Sequence, residues 1–179
     1  MLDTQRYHIR PLKPTDATSF YEAVSASLAE LVPTMPWCTP DYAFAQAEAW
    51  VTYTAQAWAA RTEFHAGIIE TASGAVVGGV GINHINRVHR IGNLGYWVAT
   101  PHTGRGVGRF AAQQIARLAF GEFALTRVEI VTLTNNLASQ RLAESLGATR
   151  ECVARNRLVI NDTPHDAVVY SLIPTDLPP

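Results

Sequence analysis

The chain predicts a mixed α/β domain, and three observations carry that prediction. Strand-like alternation and helix-like spacing interleave along it without the strict strand-helix repeat of a parallel sheet. The order reads strand, two helices, three strands, helix, strand, helix, two strands. Its 179 residues, 47% hydrophobic and 16% charged, are also enough for one core that needs no disulfide or structural metal.

Tyr7 to Leu12 alternates like an edge strand, and Thr15 with Asp16 supplies cap chemistry for a helix to about Leu31, where Pro33 and Pro36 stop it. Thr39-Pro40-Asp41 reads as a second helix start: a capping hydroxyl, proline at the first helical position, then an acid. Ala43, Ala47, Trp50, Val51, Thr54 and Trp58 continue it at helical spacing to about Ala60. Phe64–Glu70 and Val76–Ile85 flank the hairpin turn Thr71-Ala72-Ser73-Gly74, and Asn93–Ala99 is a third strand. After a glycine-rich stretch, Phe110–Phe123 is helical and Val128–Leu133 is a buried-type strand. Leu137–Leu146 is a short helix ended by Gly147. Cys152–Ile160 and Ala167–Leu172 are the last strands, around the turn residues Asn161 to Pro164. No linker or repeat divides the chain, so residues 1–173 read as one domain and 174–179 as a loose tail rich in proline.

Composition excludes several functions. A formal charge of −1 with no Lys/Arg block lacks the footprint of a nucleic-acid or membrane-surface binder, and no apolar run approaches a membrane span. Cys38 and Cys152 are too few for a disulfide framework or a four-cysteine metal site, which points to a cytoplasmic home. Lys13 is the only lysine and sits in a turn-like stretch. Phosphate loops of the G-x-x-x-x-G-K-[ST] kind and Schiff-base chemistry need a lysine elsewhere. His84 and His89 lack the acid and spacing of a metalloprotease, so no metal is expected. His165-Asp166 lacks the nucleophile elbow of a hydrolase.

Thr103-Gly104-Arg105-Gly106-Val107-Gly108-Arg109 lies between a strand and a helix. Glycines there bring backbone N–H groups close to a ligand, and the positive end of the helix dipole favours an anion. A phosphate or pyrophosphate is the natural guest, with Arg105 and Arg109 adding charge. Gly106 to Ala111 also fits the dinucleotide pattern G-x-G-x-x-G/A. That fold places the motif near the first strand and an acid at the tip of the next one. Here the motif is in mid-chain and the tip carries Thr134, Asn135 and Asn136.

Leu94-Gly95-Tyr96-Trp97-Val98-Ala99, the Gly-rich loop, Arg127-Val128-Glu129-Ile130, Asn136-Leu137-Ala138-Ser139 and Glu144-Ser145-Leu146-Gly147-Ala148 together resemble the GNAT superfamily of acetyl-CoA-dependent N-acetyltransferases, most closely its RimJ/RimL type. Ile9-Arg10-Pro11-Leu12, Met35-Pro36-Trp37 and His165-Asp166 through Leu172 extend the resemblance over nearly the whole chain. It implies a central, mostly antiparallel sheet splayed at the strands that hold the cosubstrate. It further implies that backbone amides from Thr103 through Gly104, Arg105, Gly106, Val107, Gly108 and Arg109 hold the CoA pyrophosphate, and that the strand end at Trp97 and Val98 pairs with pantetheine and offers an amide to the thioester oxygen. Asn136 would bond the pantetheine arm, and Ser139 would approach the sulfur and return a proton as CoA leaves.

The implied reaction is direct attack of a primary amine on acetyl-CoA, with a protein N-terminus, ribosomal or other, or a small amine as acceptor. A CoA-binding module without turnover is the alternative. The resemblance also implies a homodimer. Departures from the pattern place Thr103 where Gln or Arg is usual, Ala143 where many members carry a tyrosine acid, and Leu158 where some members carry a glutamate base. Glu63, Glu70, Glu129, His84, Tyr96 and Asp166 are then the polar candidates for accepting the amine's proton, with preference for a water-mediated route near Tyr96 or His84. Trp37, among prolines between helices, fits an apolar wall for the substrate.

Overall fold

Strands β1 (Tyr7–Arg10), β2 (Phe64–Glu70), β3 (Val76–Asn86), β4 (Ile91–Val98), β5 (Arg127–Leu133), β6 (Thr149–Ile160) and β7 (Thr163–Leu172) line up in one sheet in the order β1-β2-β3-β4-β5-β7-β6. The structure, a computed structural model, describes residues 6–177. Every neighbouring pair is antiparallel except β4–β5, which is parallel. The mixed α/β sheet expected from the sequence is therefore present.

The one parallel pair forks. Its register covers Ile91–Arg127, Gly92–Val128 and Asn93–Glu129 and stops there, so Leu94–Val98 and Ile130–Leu133 diverge. Parallel neighbours need a long crossover, and helix α4 (Val107–Gly121) provides it. Ala111, Ala112, Ile115, Ala116 and Ala119 on α4 are all fully buried against one face of the sheet. Small side chains on that stripe let the helix sit close under the fork. Helix α5 (Leu137–Ser145) follows β5 on the same side. Helices α1 (Ala17–Ser25), α2 (Leu28–Leu31) and α3 (Phe44–Ala60) are associated with the other face, around a second core that includes Phe20, Val24, Val51, Ile69 and Trp97.

Several boundaries differ from expectation, each for a physical reason. The first long helix is broken at Ala26 and Ser27. Buried Ser27 donates its hydroxyl to the Ala23 carbonyl at 2.8 Å and accepts the Thr100 N–H at 2.9 Å, which ties the break to the end of β4. The second helix begins at Phe44 rather than at Pro40. Tyr42 is buried beside Tyr21 and Trp37, and the extended Ala43 that follows ends the short turn at Thr39–Tyr42. Gln46 Oε1 then accepts the Ala43 N–H at 2.6 Å.

The last hairpin turns on Asn161 and Asp162 alone, both with positive φ, so Thr163 and Pro164 already belong to β7. The segment read as a loose tail begins with a 3-10 turn at Pro174–Asp176, in which the Asp176 carboxylate accepts the Ile173 N–H at 2.9 Å and Leu177 packs on the core. Residues 1–5 of the expected domain and 178–179 of the expected tail lie outside the described residues.

Candidate active site

A cleft of about 900 Å³ runs through the β4–β5 fork, lined on one side by the Gly-rich loop and α5 and on the other by aromatic residues of α1–α3 and their loops. On the loop side, Gly104 and Gly106 both have positive φ, the conformation that glycine adopts without a Cβ penalty. Gly106 is the residue ahead of α4 and offers no capping side chain. The first helical bond runs from Phe110 N–H to Gly106 O at 3.0 Å, so the amides just before Phe110 point out of the helix start with no helical acceptor. Gly108 is buried in the first turn, where an added Cβ would stand 2.7 Å from Leu142 Cδ1. It lets α4 approach α5. Thr103 donates its hydroxyl to the Thr100 carbonyl at 2.8 Å, which uses the side chain to close the preceding turn. Arg105 and Arg109 are exposed and form no ion pair among the described residues.

Asn136 is the N-cap of α5, its Oδ1 accepting the Ser139 N–H at 3.1 Å. Ser139 is half-buried in the cleft wall, and the Tyr96 hydroxyl lies 3.0 Å from its carbonyl and 3.1 Å from its Oγ. Tyr96, grouped with the acceptor in the sequence analysis, thus meets Ser139 instead. Burial pushes the Tyr96 phenol up to about 12, the Ser139 hydrogen bond acting against this and Tyr170 with it. The hydroxyl therefore keeps its proton at neutral pH. Val98, on the same strand, pairs with Gly78 at the end of the β3–β4 register.

Trp97 lines the cleft. Its indole Nε1 stands 2.6 Å from where a Cβ on Gly79 would be, so the ring lies over a bare backbone, edge-on to Phe20 and 6.0 Å from Trp37 between ring centroids. Trp37 is 39% exposed at the mouth. Trp50 and Tyr42 extend the same aromatic wall. His84 sits at an irregularity of β3 with φ of 50°, its side chain exposed at the cleft edge. Leu158 also lines the cleft, an apolar side chain in the position discussed above for a base. Of the other candidates for accepting a proton, Glu129 pairs with Arg127 at 3.0 Å, Glu70 with Arg6 at 3.4 Å, and Asp166 accepts the Asn156 N–H at 2.9 Å. Those three are committed elsewhere.

The sequence matches the family described as Acetyltransferase (GNAT) domain over residues 6–149. The chain belongs to the GNAT acetyltransferase family. YdaF of Bacillus subtilis, named for ribosomal N-acetylation, is 33% identical over 100 residues, which are 56% of this chain and 55% of that protein. The match thus spans about half the length of that curated relative. A Vibrio cholerae structure described as a ribosomal-protein-serine acetyltransferase superposes with TM-score 0.81 at 28% identity, covering 97% of each chain. The ribosomal-protein-S5-alanine acetyltransferase of Vibrio fischeri shares the fold, with TM-score 0.85 at 22% identity over 97% of this chain and 96% of that one. GNAT membership accounts for the forked parallel pair beside a glycine-rich helix start.

Reasoning from sequence missed His65. It is buried on β2, lines the cleft, and meets Glu63 in a hydrogen bond between Nε2 and Oε2 at 2.9 Å. The signal was available: residues two apart on a strand share a face, and Glu63-Phe64-His65 carries two polar groups around one core residue.

Proposed function

We propose that this protein transfers an acetyl group from acetyl-CoA to a primary amine by direct attack, with no acyl-enzyme. One observation carries the reading. Among the described residues the sheet opens at its one parallel pair, directly beside a helix start whose first amides have no helical acceptor. A strand edge can pair with an extended pantetheine arm, and amides at a helix N-terminus suit its diphosphate. In this reading the backbone from Thr103 to Arg109 holds the diphosphate, and Arg105 and Arg109 supply the charge that a lysine gives elsewhere. Trp97 and Val98 pair with the arm and aim an N–H at the carbonyl oxygen, where negative charge develops during acyl transfer. Asn136 has an amide nitrogen left over from capping α5 to bond the arm.

Ser139 returns a proton to the leaving sulfur, and Tyr96 stands behind it as donor. When the Ser139 hydroxyl turns to the sulfur, the Tyr96 O–H can donate to its Oγ. Such a relay suits the position of Ala143, which offers no proton. His84 and the Trp37 wall edge the side from which the amine arrives. Residues 1–173 act as the catalytic domain, in a cytoplasmic protein able to form a homodimer.

For the acceptor, we favour the N-terminal amine of a protein, ribosomal or other, on the names of the relatives at 33% and 28% identity. An acceptor screen that reads released CoA thiol tests this directly. Peptides with free N-termini should release CoA faster than their N-blocked counterparts and faster than small amines. Binding of acetyl-CoA with no amine-dependent release would leave a CoA-binding module instead.

A further inference from the structure

We propose that His65, oriented by Glu63, accepts the proton of the attacking amine from a glycine-floored trough that crosses the sheet to the β4–β5 fork. The proposal rests on the acetyltransferase reading and assigns the step for which Leu158 offers no group. It starts from register. His65 lies opposite Gly81, and Gly81 lies opposite Gly95, so the three share one face in one row. Gly95 stands two residues beyond Asn93, where β4 and β5 last pair. A row on this face that runs from β2 to the fork therefore carries one imidazole and two bare backbones.

The adjoining rows are filled. Gly67 is covered by Leu12 and Gly79 by the Trp97 indole, while Asn83 and Asn93 bond each other at 2.8 Å. The His65 ring leans into the row: its Nδ1 stands 2.5 Å from where a Cβ on Gly81 would be. An added Cβ on Gly95 would meet only Asn93 Nδ2, at 4.0 Å, so the end of the row nearest the fork is open.

The surroundings fix what the ring can do. Burial pushes the Glu63 carboxyl up, but hydrogen bonds from His65 and Tyr53, the His65 charge and the His84 N–H together hold it below its ordinary range. The carboxylate is ionised at neutral pH and can only accept. His65 therefore donates its Nε2–H to Glu63, Tyr53 donates to the same oxygen at 2.7 Å, and in the neutral form of the ring Nδ1 carries the lone pair. Nδ1 has no hydrogen bond to a described residue. The Trp58 indole N–H donates to the His65 carbonyl and Trp50 packs on the ring at 4.8 Å, so both backbone and ring are held. The titratable groups facing the pair, His65 on β2 and Glu63 just before it, are Tyr53 from α3 and His84 from β3.

The step balances. An arriving ammonium gives one proton to Nδ1, directly or through one water, and that proton passes to solvent. The neutral nitrogen then bonds to the acetyl carbon as the C–S bond breaks. Its second proton goes to Nδ1 and on to solvent, while the sulfur takes one from the Ser139–Tyr96 pair, which solvent restores. The net change is R–NH3⁺ plus acetyl thioester to amide, thiol and one proton. Imidazole suits the task because its ordinary titration lies in the neutral range.

Two measurements test the proposal. In the full chain labelled at histidine with ¹⁵N, NMR should place the neutral His65 proton on Nε2, and a proton on Nδ1 would overturn the assignment. Released CoA, measured with saturating acetyl-CoA and a tripeptide amide bearing a free N-terminus, gives kcat against pH. The wild type should show an ascending limb, and His65→Gln should remove it and lower kcat by about 10²-fold. Glu63→Gln should lower it by about 10-fold and move that limb to lower pH. Acetyl-CoA affinity by calorimetry should stay within about 2-fold for both, and a merely structural pair would lower melting temperature without moving the limb. Wild-type kcat and profile in His65→Gln overturn the proposal alone. A wild-type protein that binds acetyl-CoA but acetylates neither this peptide nor any amine of a broad panel overturns the acetyltransferase reading, and the base with it.

Discussion

At the scale of single residues, the Ser139–Tyr96 contact is the sharpest feature of the proposed cofactor side. The tyrosine hydroxyl faces both the carbonyl and the Oγ of Ser139 within 3.1 Å, and burial keeps it protonated. Because one hydroxyl backs the other, their losses should not add. Ser139→Ala is expected to lower kcat by about 10²-fold and Tyr96→Phe by about 10-fold, with the double variant close to Ser139→Ala alone. Acetyl-CoA affinity should change far less than kcat in all three. Steady-state kinetics with calorimetric binding checks this, and a large loss of binding with unchanged turnover would reassign Ser139 to holding the cosubstrate. Gly104 separates conformation from contact. A Cβ there meets nothing within 4 Å, so Gly104→Ala carries only the cost of φ +71°, about 1 kcal/mol. If the loop holds the diphosphate in that conformation, acetyl-CoA should bind about 5-fold more weakly to the variant.

At the scale of elements, the chain's own signals set most of the fold, and the exceptions share a cause. Strand β2 follows from the turn beside it, β5 from its apolar run and helix α5 from its local signals, as does the positive-φ Gly147 after α5. The α1–α2 break and the late start of α3 do not, because Ser27 and Tyr42 are placed by partners distant in sequence, Thr100 for one and Tyr21 for the other. The same holds within the site. Glycines and arginines of the loop announce a phosphate-binding shape locally, whereas His65 gains its meaning only from Gly81 and Gly95 across the sheet.

Pairs local in sequence hold the first elements together. Arg10 grips Asp16 through two bonds of 2.6 and 2.9 Å, and Asp16 accepts the Lys13 N–H at 2.7 Å. The Arg10 hydrogen bonds hold the Asp16 carboxyl below its ordinary range against the opposing effect of burial. A depressed carboxyl contributes stability above its unfolded value, near 4, and loses it as pH falls through the folded one. Asp16→Ala should therefore cost about 2–3 kcal/mol at pH 7, because it strands a half-buried guanidinium and an amide, and progressively less as pH falls below about 4. Denaturant melts at pH 7 and pH 3 measure the difference. Glu151 has the same sign, its carboxyl held at about 2 chiefly by Arg127 and then by Ser171. Being exposed, it should contribute only about 1 kcal/mol or less, lost between about pH 4.5 and 2.

At the scale of the whole molecule, the fork joins two halves that are otherwise built separately. One core lies on the α4 face and spans strands on both sides of the fork; the other gathers α1, α3 and Trp97 on the opposite face. Only the three pairs from Ile91–Arg127 to Asn93–Glu129 link β4 to β5, so the edges of Leu94–Val98 and Ile130–Leu133 that face each other lack ladder partners. Unpaired strand edges are paired by whatever extended chain enters them. Acetyl-CoA at about 100 times its Kd should raise the free energy of unfolding by about 2.7 kcal/mol. Its effect on hydrogen exchange should be uneven, strongest in the loop 104–109 and in Leu94–Val98 and absent from β1 at the far edge of the sheet. Desulfo-CoA should give most of the protection in the loop, because it keeps the diphosphate, and peptide acceptor added to it should protect β2 and the aromatic wall on the opposite face. Uniform protection of all strands would mean that ligand stabilises the fold as a block and that the fork is already closed without it. Protection confined to the loop would mean that the arm lies outside the fork, and the strand pairing assigned to Trp97 and Val98 would fall.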